Sequence, residues 1–392
     1  MQNAKMAKIE QSLDSHHEEM MALWKELVNM ESYVGEGDKV WRVAEKLKAE
    51  YEKAGFDCRL EDVGGGWGPT LIGTLGAGRP GQPIVFSGHM DTVFPTGSWG
   101  EAPFRMEGNR AFGPGVLDMK GGLVIALFVC KALEEAGYCE TPIKIIYSGN
   151  EEKGHVRSSG AEVYLRESKG GRFAFNMETG LASGALCTGR KGHLGCHITI
   201  TGVESHAGND FESGRSAIEE AAHKILKLQA LTDLQEGTTV NVGVIRGGTV
   251  PNAVPGKCEL EVDIRVAKEE GRQRVKQAIP QIVEYCTVAD VTAEYTFDGD
   301  APIYATTPEV MEFYRFVCRT AEEYGLEKPG SKTLGGFSDA AYVAMAGVPV
   351  ICSFGVKGEW NHTKREYALV DSMRERAKLI AAVILEQQRF KQ

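Results

Sequence analysis

Pro83-Ile84-Val85-Phe86-Ser87-Gly88-His89-Met90-Asp91 passes in nine residues from an apolar, β-branched run to a glycine, an imidazole and a carboxylate. The first half reads as a buried strand, and the second puts polar side chains at its end. A strand end is where an open α/β sheet presents ligands. The same rhythm continues outward. Residues 122–136 form an apolar helix, Ile143-Lys144-Ile145-Ile146-Tyr147 another strand, and 172–177 a further short one. Val348-Pro349-Val350-Ile351 precedes a long C-terminal helix. Upstream, residues 9–54 carry helical periodicity broken near Gly35 and Gly37, and Gly64-Gly65-Gly66 reads as a turn. Alternating strands and helices imply an α/β fold, a sheet covered by helices.

The pattern changes near Thr188. Cys196-His197-Ile198-Thr199-Ile200 reads as a strand, 214–231 as a helix, 239–246 and 258–266 as strands, 271–286 as a helix and 291–297 as a strand. This β-α-β-β-α-β order describes a small α+β domain. The expected organisation is one α/β domain built from 1–189 and 300–392, interrupted by an inserted α+β domain at 190–299. Two domains also suit a chain of 392 residues.

Composition narrows the function. A net charge of −10 argues against nucleic acid, whose phosphates need a basic face. No apolar stretch is long enough to cross a bilayer, and the N-terminus has no run suited to a signal peptide. Nine cysteines, an odd number with no CxxC, suggest neither a disulfide framework nor a thiolate metal site. A cytoplasmic protein is the expectation.

Five potential ligands each fall at or just beyond an expected strand end: His89, Asp118, Glu152, Glu178 and His362. Taken singly, each has an ordinary reading, such as a polar loop, a helix cap or a solvated acid pair. Together they supply two imidazoles and three carboxylates, a set suited to paired Zn²⁺, Mn²⁺ or Co²⁺. Asp91 is placed to orient the His89 ring. Glu151, beside Glu152, is placed to act as a base toward water. No GxSxG appears, which disfavours a serine hydrolase.

These segments resemble the M20 metallopeptidase family in order along nearly the whole chain. The resemblance is carried by His89-Met90-Asp91, Asp118-Met119-Lys120-Gly121-Gly122, Glu151-Glu152-Lys153-Gly154, Glu178 and His362. It implies a di-zinc peptidase-like catalytic domain with a lid and dimerisation domain inserted. Asp118 would bridge two metals, with His89 and Glu178 at one and Glu152 and His362 at the other. Glu151 would be the general base. His206, in Ser205-His206-Ala207-Gly208, would reach a neighbouring subunit's site and stabilise the oxyanion. Asn252 and Arg265 would bind the substrate's free carboxylate, which a guanidinium can hold with two parallel hydrogen bonds.

The likeness is greatest to the glutamate carboxypeptidase and aminoacylase branch, through Glu178 and the segment Gly247-Gly248-Thr249-Val250-Pro251-Asn252 with Asp263-Ile264-Arg265. It implies a homodimer that cleaves a peptide or amide bond next to a free carboxylate. An N-acyl amino-acid deacylase or a dipeptidase would use the same residues. A catalytically silent metal-binding protein is the remote alternative. Ordinary readings also exist for the lid residues: His206 capping a turn, and Arg265 paired with Glu259 or Glu261. Two positions depart from the pattern. His155-Val156-Arg157 replaces a run of small residues, and Ala301 stands where a glutamate-specific member would carry arginine.

Overall fold

The computed structural model describes residues 2–390. The chain divides into two units: Met1–Gly189 with Thr306–Thr333 and Ser338–Gln392, and Arg190–Ala305 with Leu334–Phe337. The second unit therefore closes at Ala305, beyond the expected 299. The reason lies in backbone pairing. Strand Thr292–Ala301 pairs with Gly192–Thr201, across a bulge between Leu194 and Gly195, up to Ala301 opposite His193. Arg190 and Tyr304 then exchange two backbone hydrogen bonds, of 2.8 and 3.1 Å. Leu334 joins this unit by accepting the Lys191 N–H at 3.1 Å.

In the first unit a six-stranded sheet runs in the order Asp57–Glu61, Gly68–Leu75, Ile143–Gly149, Ile84–His89, Ala174–Asn176, Val350–Ile351. The first three strands are antiparallel neighbours and the remainder pair in parallel. Every residue of Ile84–His89 is buried, as expected of a parallel strand covered on both faces. Helix Gly121–Glu135 is apolar nearly all round and lies in the core with Leu47, Phe86, Phe175 and Ile380. The two antiparallel strands at the Asp57 edge are additions to the sequence reading.

The broken helical segment resolves into helices Gln2–Ser15, His17–Asn29 and Gly37–Lys53. Gly37 opens the third helix at a close approach, since a Cβ there would strike the Gly66 carbonyl. A second sheet runs Arg105–Glu107, Arg110–Phe112, Tyr367–Leu369, Lys357–Glu359, Gly180–Leu181. Its parallel pair, Lys357 opposite Gly180, brings the loop after Glu359 beside the chain just past Glu178.

The second unit is a four-stranded antiparallel sheet in the order Thr239–Gly247, Lys257–Val266, Gly192–Thr201, Thr292–Ala301. Helices Ala217–Gln229 and Glu269–Glu284 complete the β-α-β-β-α-β order. Along Lys257–Val266, Cys258, Leu260, Val262, Ile264 and Val266 are buried while their alternates are not. The period of two gives the sheet one core face and one polar face. Among the described residues no helix is long and apolar enough to cross a membrane.

Candidate active site

His89 ends its strand with both ring nitrogens engaged. Nδ1 lies 3.1 Å from the Asp91 carbonyl oxygen and 3.5 Å from its carboxylate. Nε2 lies 3.1 Å from Asp118 Oδ1, 3.5 Å from Glu178 Oε1 and 4.0 Å from Glu151 Oε2. The other oxygen of Asp118, Oδ2, is 3.2 Å from His362 Nε2 and accepts from Asn361 Nδ2 at 3.0 Å. His362 Nε2 is also 3.2 Å from Glu152 Oε2. Asp118 thus stands between two imidazoles, one carboxylate oxygen toward each. The five expected ligands and Glu151 come together from segments spread over residues 89–362.

Backbone anchoring explains why the acids hold these positions. The Asp91 carboxylate accepts the N–H groups of Glu151 at 3.3 Å and Glu152 at 3.0 Å. It therefore grips the acidic turn as well as facing the His89 ring, a second task that sequence reading missed. Glu366, also missed, accepts the N–H groups of Leu117 at 2.8 Å and Asp118 at 3.1 Å through Oε1. It lies four residues beyond His362 in a charged stretch that nothing in the sequence distinguishes from surface.

Charge in this cluster is unevenly matched. Burial opposes a charge on His89, but hydrogen bonds with Asp118, Asp91 and Glu178 raise its pKa well above the ordinary imidazole value. Asp118 is buried, yet His362 and His89 hold its carboxyl well below the usual range. Hydrogen bonds to Asp118 and Glu152 push His362 up to about 11. Glu151 is raised well above its ordinary value by burial and by the charges of Glu178, Asp339 and Glu152, against the pull of His89. Burial and the Asp118 charge raise Glu152 to about 7 and Glu366 to about 8. Burial takes Lys120, which donates to the Met30 carbonyl at 2.7 Å, down to about 7.

The donors fit a pair of divalent ions. Four carboxylates, on Asp118, Glu151, Glu152 and Glu178, surround two imidazoles, an excess of negative charge that bound cations answer. Glu152 Oε1 is buried and has no hydrogen-bond partner. His89, Asp118 and Glu152 offer ligand atoms within 4.8 Å of one another, as do His89, Glu151 and Glu178. Separations of 3.1–3.5 Å between facing donors lie near the edge, roughly 3.3–3.6 Å, of a tetrahedron with metal–ligand bonds of about 2.0–2.2 Å.

The three remaining expected residues lie on the second unit. Ser205–His206 pairs with Ala253–Val254, and Asn252 accepts the Ala207 N–H at 2.9 Å, so His206 and Asn252 are neighbours. Both are exposed. His206 Nδ1 accepts the N–H groups of Gly208 and Asn209 at 3.1 Å, which caps its turn and leaves Nε2 as the protonated nitrogen. Arg265 forks onto Asp263 at 2.9 and 3.0 Å, rather than onto Glu259 or Glu261. Those two acids pair instead with Lys257 and Arg246. His193, directly across the ladder from Arg265, lies 3.1 Å from Asp263.

A helix-covered sheet whose strand ends and neighbouring loops gather two imidazoles and four acids defines a metallohydrolase of the peptidase and amidohydrolase kind. The chain belongs to peptidase family M20/M25/M40, whose model matches residues 85–386, and it is an enzyme of that family. It is similar to carboxypeptidase G2 of a Pseudomonas species, with 28% identity over 366 residues, 92% of this chain and 88% of that protein. It is also similar to acetylornithine deacetylase of Myxococcus xanthus, at 31% identity over 74% of this chain and 80% of that one. Among solved structures, aminopeptidase PepT of Bacillus cereus superposes with a TM-score of 0.79 at 26% identity, covering 95% of this chain and 99% of its own.

Proposed function

We propose that this enzyme hydrolyses a peptide or amide bond adjacent to a free carboxylate, releasing a C-terminal amino acid such as glutamate. The observation that carries the reading is Asp118, with one oxygen 3.1 Å from His89 and the other 3.2 Å from His362. In this reading the residues that would hold a pair of metal ions are His89 and Glu178 on one side, Glu152 and His362 on the other, with Asp118 shared between them. Zn²⁺, Mn²⁺ and Co²⁺ all suit these donors. When bound, such a pair acidifies water and polarises a carbonyl.

The chain's own residues do the rest. Glu151 takes the proton of the attacking water and delivers it to the leaving amine. Asp91 keeps His89 oriented and holds Glu151 by its backbone. His206 of a neighbouring copy donates from Nε2 to the developing oxyanion, so the reading includes a homodimer. Arg265 and Asn252 bind the carboxylate beside the scissile bond. The likeness to acetylornithine deacetylase supports a second reading, an N-acyl amino-acid deacylase with the same machinery.

The test is hydrolysis of acyl-glutamates, other N-acyl amino acids and dipeptides by the purified protein, before and after chelation and readdition of each metal. Metal-restored cleavage confined to carboxylate-bearing substrates supports the proposal. Chelator-resistant cleavage, or equal cleavage of amides lacking the carboxylate, overturns it.

A further inference from the structure

The turn that carries Glu151 and Glu152 ends in the unusual His155-Val156-Arg157, and His155 occupies a place that the proposed chemistry leaves unused. Its side chain is buried in the first unit, although the residue has a φ of 58°. Residues bearing a side chain hold that left-handed conformation only when their contacts compel it. Both ring nitrogens face acceptor oxygens: Nδ1 lies 2.9 Å from Asn150 Oδ1, and Nε2 lies 2.6 Å from Asp339 Oδ1.

Each partner reaches further. Asn150 opens the Glu151–Lys153 turn and donates from Nδ2 to Ser158 at 2.8 Å. Asp339 Oδ2 accepts from Ser148 at 2.7 Å, and Ser148 belongs to the strand that leads into the turn. Asp339 therefore grips the chain on both sides of the two glutamates, directly at residue 148 and through the imidazole at 155. The ring is packed between Tyr164 and Tyr342, with centroids 5.9 and 5.4 Å away. Tyr164 in turn donates to the carbonyl of Gly88, the residue before His89, at 2.5 Å. Gly160 makes the arrangement possible, because a Cβ there would strike His155 Nδ1.

We infer that His155 is a positioning residue for this site: held between Asn150 and Asp339, its ring fixes the turn that presents Glu151 and Glu152. The inference rests on the reading of Glu152 as a metal ligand and Glu151 as the base. It differs from a general folding role because the bracket closes around those two residues, and the only covalent link between its ends is the turn itself.

The test uses full-length protein with His155→Ala, His155→Asn, Asp339→Asn, and the His155→Ala/Asp339→Asn pair. Zn²⁺ affinity by chelator competition, kcat and KM separately, and Tm are measured for each. The expected result for His155→Ala is a loss of roughly 10–100-fold in Zn²⁺ affinity, in kcat, or in both, with KM little changed. His155→Asn, which keeps an amide within the same pocket, recovers part of the loss. The double variant loses no more than the worse single variant, because the two residues act as one bracket. Wild-type Zn²⁺ affinity and kcat in His155→Ala, with Tm alone lowered, would overturn the inference. If His155→Ala does not fold, His155→Asn and Asp339→Asn carry the same readouts. A wild-type protein that binds Zn²⁺ but cleaves no carboxylate-bearing amide overturns the proposed function instead, and the Zn²⁺ affinities of the variants still decide the role of His155.

Discussion

The acids around Asp118 and the polar groups around Arg265 are two sets of side chains read from one sequence, and the protein builds them by opposite means. The first set is buried and over-supplied with carboxylates, and its backbone is tied down by Asp91 and Glu366. The second lies on the polar face of a sheet and on exposed turns, where Arg265 and His206 already have partners within their own unit. The difference is one of cost. Like charges gathered out of water are expensive unless something bound offsets them, so the first set declares a site by its presence alone. Polar groups on an open face cost little, so the second set acquires a role only through the substrate it meets.

The largest expected effect tests the first set. Glu151→Gln keeps the shape of the buried turn but removes the base, and kcat should fall by at least ~10²–10⁴ with metal content unchanged, as read by steady-state kinetics beside metal analysis. Wild-type turnover in a metal-loaded variant would remove Glu151 from the chemistry and leave the cluster as a binding site only.

Two smaller effects test whether the second set acts at all. His206→Ala removes the Nε2 donor and should lower kcat by roughly 10²–10³, the usual loss for one oxyanion donor. Mixing this variant with an inactive Glu151→Gln partner should restore part of the activity if the donor comes from a neighbouring copy. No change in kcat would reduce His206 to the cap that it forms with Gly208 and Asn209. Arg265→Ala should lower kcat/KM for carboxylate-bearing substrates by roughly ten- to a hundredfold, the worth of a hydrogen bond to a charged group. Substrates without the carboxylate should respond far less. An equal loss on both kinds would mean that Arg265 serves only its pair with Asp263.

What could be read in the sequence follows the same division. The parallel strands were visible as runs of Ile and Val because burial on both faces leaves no alternation to confuse them. His89 and Glu152 were visible because each ends or follows such a run, and Asp118, Glu178 and His362 through the motifs around them. The edge strand Asp57–Glu61 and its inner neighbour Gly68–Leu75 were not, since one is mixed in character and the other begins Gly-Pro. Nor were the residues that hold the site in place. Glu366 accepts its hydrogen bonds from residues 248 and 249 positions back along the chain, and Asp339 meets His155 across 184. No periodicity or local spacing encodes pairings of that kind; only the folded sheet order brings them together.

The smallest effect separates stability from chemistry on the second unit. Glu220 and Lys224 are buried on helix Ala217–Gln229, with Lys224 Nζ 2.9 Å from Glu220 and donating to the carbonyls of Ile282, Val283 and Tyr285. Glu220 accepts the N–H groups of Thr287 at 2.7 Å and Val288 at 2.8 Å. Burial alone would raise its pKa, but Val288, Lys224 and Thr287 outweigh burial and hold it below the ordinary value. On unfolding the group returns to about 4.3 and, near and below that pH, binds more protons than the folded form. Its contribution is therefore complete above about pH 4.3 and is lost as the pH falls through the folded pKa. Thermal unfolding of wild type and Glu220→Gln should show the variant less stable near neutrality, with the gap in Tm narrowing on acidification. The cluster around Asp118 is untouched by this substitution, so kcat at neutral pH should stay at the wild-type value. A gap that held constant down to acid pH would mean that shape, rather than charge, is what Glu220 contributes.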